Sequence, residues 1–186
     1  MIFKASPSTN PTGRFGSNHL HRRTMAILKS QILFDAVERG DASLVRTILV
    51  SHVEINVRDK GGSTPLMRAS LHGNTVIVDL LIACGMCIDA QDNSGKTALH
   101  YAAQEQHCSI VEHLIDAGAN VNSQDGHGNS PLGMAVFYSK GVGETIMLLR
   151  KKGADDNLKN KYGVTPLGLA QTIVNYDILK FFKEKP

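Results

Sequence analysis

The sequence predicts an all-α fold, a solenoid of about five stacked helix-turn-helix units with projecting hairpin loops. Three observations predict it. Set against itself, the chain repeats with a period close to 33: Thr64-Pro65-Leu66 returns as Thr97-Ala98-Leu99, as Ser130-Pro131-Leu132 and as Thr165-Pro166-Leu167. Within a period, apolar residues recur at helical spacing in two short runs, as in Leu99, Ala102 and Ala103 and then Ile110, Val111, Leu114 and Ile115. Residues that start and stop helices fall at matching places. Helices this short are marginal alone, because nucleation orders several residues before hydrogen bonding repays it. Each unit therefore needs neighbours, and stacking supplies them.

Taken in order, residues 1–24 mix Pro, Gly, Ser, Asn and Arg without helical or strand period and are expected to be a disordered basic segment. Met25 is expected as the natural start, and 25–186 as the folded domain. Unit one, about 31–61, opens QILFDAVERGD without Thr-Pro, but Leu33, Ala36 and Gly40 stand one period before Leu66, Ala69 and Gly73. Units two and three, 62–94 and 95–127, are the most regular. Unit four, 128–162, carries two additional residues within Phe137–Gly143, and unit five, 163–183, ends without a Gly-Ala loop. The end units read as caps, with Asp35, Glu38, Arg39, Lys180, Lys183 and Lys185 available for a solvated outer face.

The local chemistry supports each boundary. Thr or Ser before Pro places a side-chain oxygen at a helix entrance, and Pro is tolerated in a first turn, where its missing N–H has no helical partner. Gly85, Gly118 and Gly153 follow the second apolar run, where helices end in a left-handed residue. Asp92-Asn93-Ser94-Gly95 and Asp125-Gly126-His127-Gly128 supply turn chemistry at the reversal between units. Ala69, Ala102, Ala135 and Ala170 recur at one position, as expected where helices approach too closely for long side chains. Gln106 occupies a position that is Gly in units one and two, which predicts strain or a local contact there.

This pattern resembles the ankyrin-repeat family over about 150 residues, most densely at Gly95-Lys96-Thr97-Ala98-Leu99-His100-Tyr101-Ala102-Ala103 and Gly118-Ala119-Asn120-Val121-Asn122. The last two units loosely resemble small bacterial ankyrin proteins, some of them immunity proteins encoded beside secreted toxins.

Composition sets bounds on function. The chain has 186 residues, 42% hydrophobic and 20% charged, which suits a folded domain with a core of small aliphatics. No apolar run approaches a membrane span of about 20 residues, so no membrane role is expected. Three Cys residues without a secretory leader indicate free thiols in a reducing compartment, read as the cytoplasm. Net charge is uneven: residues 1–24 carry +4, 31–147 carry −6 and 148–186 carry +4. The acidic stretch would suit a basic, nuclease-like partner.

Motifs with chemical potential are weak. Cys84-Gly85-Met86-Cys87 is a CxxC, but it straddles a helix-ending Gly and faces no second ligand pair by spacing. Free thiols are the preferred reading, and a metal or redox site at Cys84 and Cys87 is the alternative from another class. Gly95-Lys96-Thr97 lacks the earlier Gly and the strand of a phosphate loop. His100 is expected to brace its loop, as the family resemblance implies. Arg150-Lys151-Lys152, with Lys159 and Lys161, is read as a solvated helix end and not as a nucleic-acid surface.

The expected function is therefore non-catalytic protein binding by a protein monomeric in itself, with no cofactor and no nucleic acid. The resemblance implies contact through fingertips, here Lys60, Ser63, Asn93, Ser94, Lys96, His127, Asn129, Tyr162 and Val164. It also implies contact through the exposed inner face of each first helix, here Arg68, Leu71, Tyr101, Gln104, Met134 and Phe137. Toxin immunity is one expected form of this binding; a general adaptor or host-directed regulator is the other.

Overall fold

A computed structural model describes residues 15–51 and 56–183. Among them the regular structure is helical throughout. Ten helices run in chain order as α1 (Phe15–Glu38), α2 (Ala42–Val50), α3 (Pro65–Leu71), α4 (Thr75–Ala83), α5 (Ala98–Gln104), α6 (Cys108–Asp116), α7 (Pro131–Tyr138), α8 (Glu144–Lys151), α9 (Pro166–Thr172) and α10 (Lys180–Lys183). From α1 to α8 consecutive helices pair, α9 packs on α7 and α10 on α8, and the whole stacks in two layers. The inner layer is α1, α3, α5, α7 and α9; the outer is α2, α4, α6, α8 and α10.

Helix starts follow the predicted oxygens. The Thr64, Ser130 and Thr165 hydroxyls accept from the backbone N–H of Met67, Gly133 and Gly168 at 3.3, 3.2 and 2.9 Å. Helix ends follow the predicted glycines, with Gly85, Gly118 and Gly153 at φ +80°, +98° and +93° after α4, α6 and α8. Between the layers lies one continuous core in which repeat positions superpose. Leu33, Leu66, Leu99 and Leu132 are all buried, as are Ala36, Ala69, Ala102, Ala135 and Ala170. On the outer helices Val45, Val78, Val111 and Ile146 form one row, and Ile48, Leu81, Leu114 and Leu149 another.

The N-terminal boundary differs from the expected one. Helix α1 begins at Phe15 and not after Met25, because Ser17 to Glu38 contains neither Pro nor Gly and nothing in that stretch stops a helix. The disorder expected for residues 1–14 lies outside the described residues, as does Lys185 of the C-terminal cap.

The two additional residues of unit four have a definite place. Lys140 and Gly141 take φ +47° and +90°, and the loop they form is a seat for the final unit. A side chain at Gly141 would meet the Tyr176 ring at 2.9 Å, and one at Gly143 has no room beside the Phe181 ring. Arg150 closes the same junction: it is buried, its Nε donates to both carboxylate oxygens of Asp156 at 3.0 Å, and its Nη1 donates to the Phe181 carbonyl at 2.7 Å. Its guanidinium also lies 5.0 Å from the centre of the Phe182 ring.

Candidate functional site

Four loops project beyond the inner layer, and each is built on one side-chain oxygen. Asp59 Oδ1 accepts from the N–H of Gly61 and Ser63, Asp92 Oδ1 from Ser94 and Lys96, and Asp125 Oδ1 from His127 and Asn129. In the fourth loop Asn160 Oδ1 accepts in the same way from Tyr162 and Val164. One short carboxylate or amide thus ties a tight reversal two and four residues ahead. Neighbouring tips are joined by Asn93 N–H to the Gly61 carbonyl, Gly126 N–H to Ser94 and Lys161 N–H to His127, at 3.0, 2.7 and 3.0 Å. Behind the tips a single repeat position forms a second ladder: side chains of Arg58, Gln91 and Gln124 donate to the carbonyls of Gln91, Gln124 and Lys159 at 2.6, 3.0 and 3.0 Å.

The remaining carboxylate oxygens face the inner helices. Asp59 Oδ2 accepts from Arg68 Nε at 3.1 Å, and Asp92 Oδ2 accepts from the Tyr101 hydroxyl. Burial opposes ionisation of both aspartates, but these bonds and the loop N–H groups outweigh it and hold each carboxyl below its usual range. Burial and the Asp92 bond push the Tyr101 hydroxyl up to about 12. Arg68 and Tyr101 occupy one repeat position, which continues as Met134 and Leu169. The inner face is therefore polar at units two and three and apolar at units four and five.

The apolar half forms a groove of about 560 Å³ floored by Met134, Phe137, Tyr138, Val164 and Leu169, with Lys96 and His127 at its rim. Phe137 is 62% exposed and packs edge-on against Tyr138, while Tyr162 is 71% exposed and stacks near His127. Lys96 Nζ donates to Gln104 Oε1 at 2.9 Å and lies 5.3 Å from the Tyr101 ring centre.

The structure brings most of the expected contact residues onto this face. Lys60, Asn93, Ser94, His127, Tyr162 and Val164 are exposed at the tips, and Arg68, Leu71, Lys96, Tyr101, Gln104 and Asn129 are half-buried. Two are not surface residues. Ser63 is 7% exposed, with its N–H held by Asp59 Oδ1, and Met134 is 8% exposed because it forms the groove floor. Tyr138 and Leu169 were not among the expected residues, yet continuing the Arg68–Tyr101–Met134 register reaches Leu169 directly.

His100 braces as expected. Its Nδ1 accepts from the Thr97 N–H at 3.1 Å, which places the ring proton on Nε2, and Nε2 donates to the Asn129 carbonyl at 3.0 Å. The basic run is a solvated helix end only in part: Lys151, Lys159 and Lys161 are exposed, but Arg150 is buried at the cap, and Lys152 pairs with Asp116 at 2.6 Å and Glu112 at 3.6 Å. Cys84 and Cys87 are exposed free thiols. Among the described residues no three His, Cys, Asp or Glu side chains converge as a metal site, and no helix is long and apolar enough to cross a membrane.

Residues 33–125, half of the chain, match the family of ankyrin repeats in three copies. The chain belongs to the ankyrin-repeat family. Units four and five of this ankyrin array lie beyond the matched segment; α7 and α8 repeat its helix pairing, and the loop before α9 repeats its fingertip construction. No curated protein matches the chain. Ankyrin repeats indicate a protein–protein interaction module.

Proposed function

We propose that this ankyrin array is a non-catalytic binding protein whose partner docks on the fingertips and inner helices of units three to five. One observation carries the reading: Phe137, 62% exposed, lines a groove with the aliphatic side chains of Met134, Val164 and Leu169, and Tyr162, 71% exposed, stands at the fourth fingertip. Aromatic side chains are enriched in interface cores, and an exposed apolar patch of this kind marks a contact surface. We further propose that the partner is a toxin and that the array masks it in the cytoplasm as an immunity protein. The loose resemblance of the last two units to small bacterial ankyrin proteins, some of them immunity proteins, supports this.

Co-expression with the product of the adjacent gene tests it. The expected result is a co-purifying complex and restored growth, with Phe137→Ser or Tyr162→Ala weakening the complex by about tenfold or more, as central contacts do. Lys151→Ala, on the outer layer, should leave it unchanged. No complex and no rescue rule out immunity. A complex indifferent to both substitutions moves the docking face elsewhere on the array.

A further inference from the structure

Unit one has no unit before it, and two of its repeat positions show what that leaves open. Ile32 stands where the other units have Pro65, Ala98, Pro131 and Pro166, all buried, yet it is 38% exposed. Leu44 stands where units two to four have Ile77, Ile110 and Thr145, each 1% exposed, and it too is 38% exposed. Elsewhere in the stack a preceding inner and outer helix cover these positions. Terminal repeats ordinarily turn polar residues outward at such an end, and here the residues are aliphatic.

Helix α1 extends that surface. The other inner helices begin at the repeat position of Ile32, whereas α1 begins at Phe15, so residues 15–31 overhang the stack. At about 100° per residue, Ile27, Gln31 and Phe34 share one face, which lines a hollow with the first fingertip, and Leu33, Ala36 and Val37 share the face in the core. Met25, Leu28 and Ile32 fall on the third face, spaced i, i+3 and i+7 as in a seam between two helices. All three are exposed, so neither α2 nor α3, which pack on α1, covers them.

Charge selects the occupant. Residues 15–31 carry Arg22, Arg23 and Lys29 with no acid, or +3, and residues 32–41 carry Asp35, Glu38 and Asp41 against Arg39, or −2. Two α1 helices side by side in the same direction set like charge against like. Running antiparallel, each basic overhang lies along the acidic end of the other. With Met25 of one copy level with Ile32 of the other, Arg22 comes level with Asp35, and the two-fold symmetry makes this match twice. We infer that the N-terminal end of the array is the interface of an antiparallel homodimer, with Met25, Leu28, Ile32 and Leu44 at its core, in place of the monomer expected from the sequence. The groove of units three to five stays free in both copies.

Sedimentation equilibrium of the full chain at rising concentration tests the inference. Wild type should pass from 20.2 kDa to twice that mass, and the dimer should weaken as salt rises. Leu28→Asp should weaken it by about tenfold or more, while Phe137→Ser, in the distant groove, should leave it unchanged. Arg22→Glu and Asp35→Arg should each weaken it by about tenfold or more, and the two together in one chain should restore it. These positions lie about 20 Å apart along one helix, so restoration reports a contact between copies. Urea midpoints of the dilute monomers, equal to wild type, separate lost association from lost folding. A wild type monomeric at every concentration, a dimer indifferent to Leu28→Asp, or a double charge variant no better than the singles overturns the assignment. Protection of the α1 amides in such a monomer would give the face to another segment of the same chain and overturn it equally.

Discussion

Gln106 sits at φ +59°, where the equivalent residues of units one and two are Gly40 and Gly73, and its side chain explains the exchange. In unit two the Asn74 amide reaches back to the Val37 carbonyl at 3.1 Å, and in unit three His107 reaches back to Leu71 at 3.3 Å. The two additional residues of unit four interrupt this row. Gln106 takes over, donating to the Ala103 carbonyl at 3.1 Å, which is two periods after Val37, and forward to Ala135 at 2.9 Å. Its Oε1 is buried with no partner. Gln106→Gly loses these bonds but removes the strain and the orphaned oxygen, so it should unfold in urea within about 1 kcal/mol of wild type. Gln106→Ala keeps the strain and loses the bonds, and should cost about 1–3 kcal/mol. Alanine equal to or better than glycine there contradicts this account. His100 supplies a pH signature at the same scale. Burial lowers its pKa from the ordinary 6.5, so the unfolded chain takes up its proton first. Its stabilising contribution is complete above 6.5 and is lost as pH falls through the lowered value. Urea midpoints measured from about pH 7.5 to about pH 5 should fall more steeply for wild type than for His100→Gln, because only wild type carries this linkage.

At the scale of elements, the junction between unit four and the cap is the most specialised part of the array. Gly143 lies against the Phe181 ring, and Arg150 holds Asp156 and the Phe181 carbonyl together. Arg150→Met keeps much of the apolar stem but leaves Asp156 and that carbonyl without the guanidinium. The expected outcome is faster hydrogen exchange across α9 and α10, with α3 to α6 unaffected, since a stack transmits loss only through adjacent units. Exchange unchanged in α9 and α10 would show that apolar packing alone holds the cap. Much of this architecture was legible in the residues. Thr64, Ser130 and Thr165 announce helix starts through hydroxyls they use as caps, and Gly85, Gly118 and Gly153 announce ends through a conformation few other residues take. What the chain did not reveal depends on register across units. Lys152 meets Asp116 across 36 positions, and Arg150 meets Phe181 across 31, so two residues of a basic run that looks solvated are internally paired. Likewise Asp92 and Asp125 read as turn residues, but only the folded loops show that their second oxygens reach the Tyr101 hydroxyl and the Asn129 amide.

For the whole molecule the governing fact is that every unit touches only its neighbours, so the position of a defect decides how far it spreads. Leu99 lies in the central unit, 1% exposed between α3 and α7, and its truncation opens a cavity that faces two interfaces. Ile178 is fully buried in the terminal unit, which has a neighbour on one side. Each substitution to Ala should cost about 2–5 kcal/mol at its own site. Their global signatures should differ. With Leu99→Ala, exchange protection should fall in α3 to α8 together, because uncoupling the centre weakens both halves of a quasi-one-dimensional stack. With Ile178→Ala, protection should fall in α9 and α10 and decay through α8, while α1 to α4 keep wild-type rates. Equal loss across all helices for both variants would mean that the array unfolds as one cooperative block, with coupling between units stronger than the stability of any unit. Binding is coupled to the same hierarchy. The groove spans units three to five, so an occupant ties the loop before α5 to α7 and α9, and a saturating ligand should protect the cap even in the Ile178→Ala background.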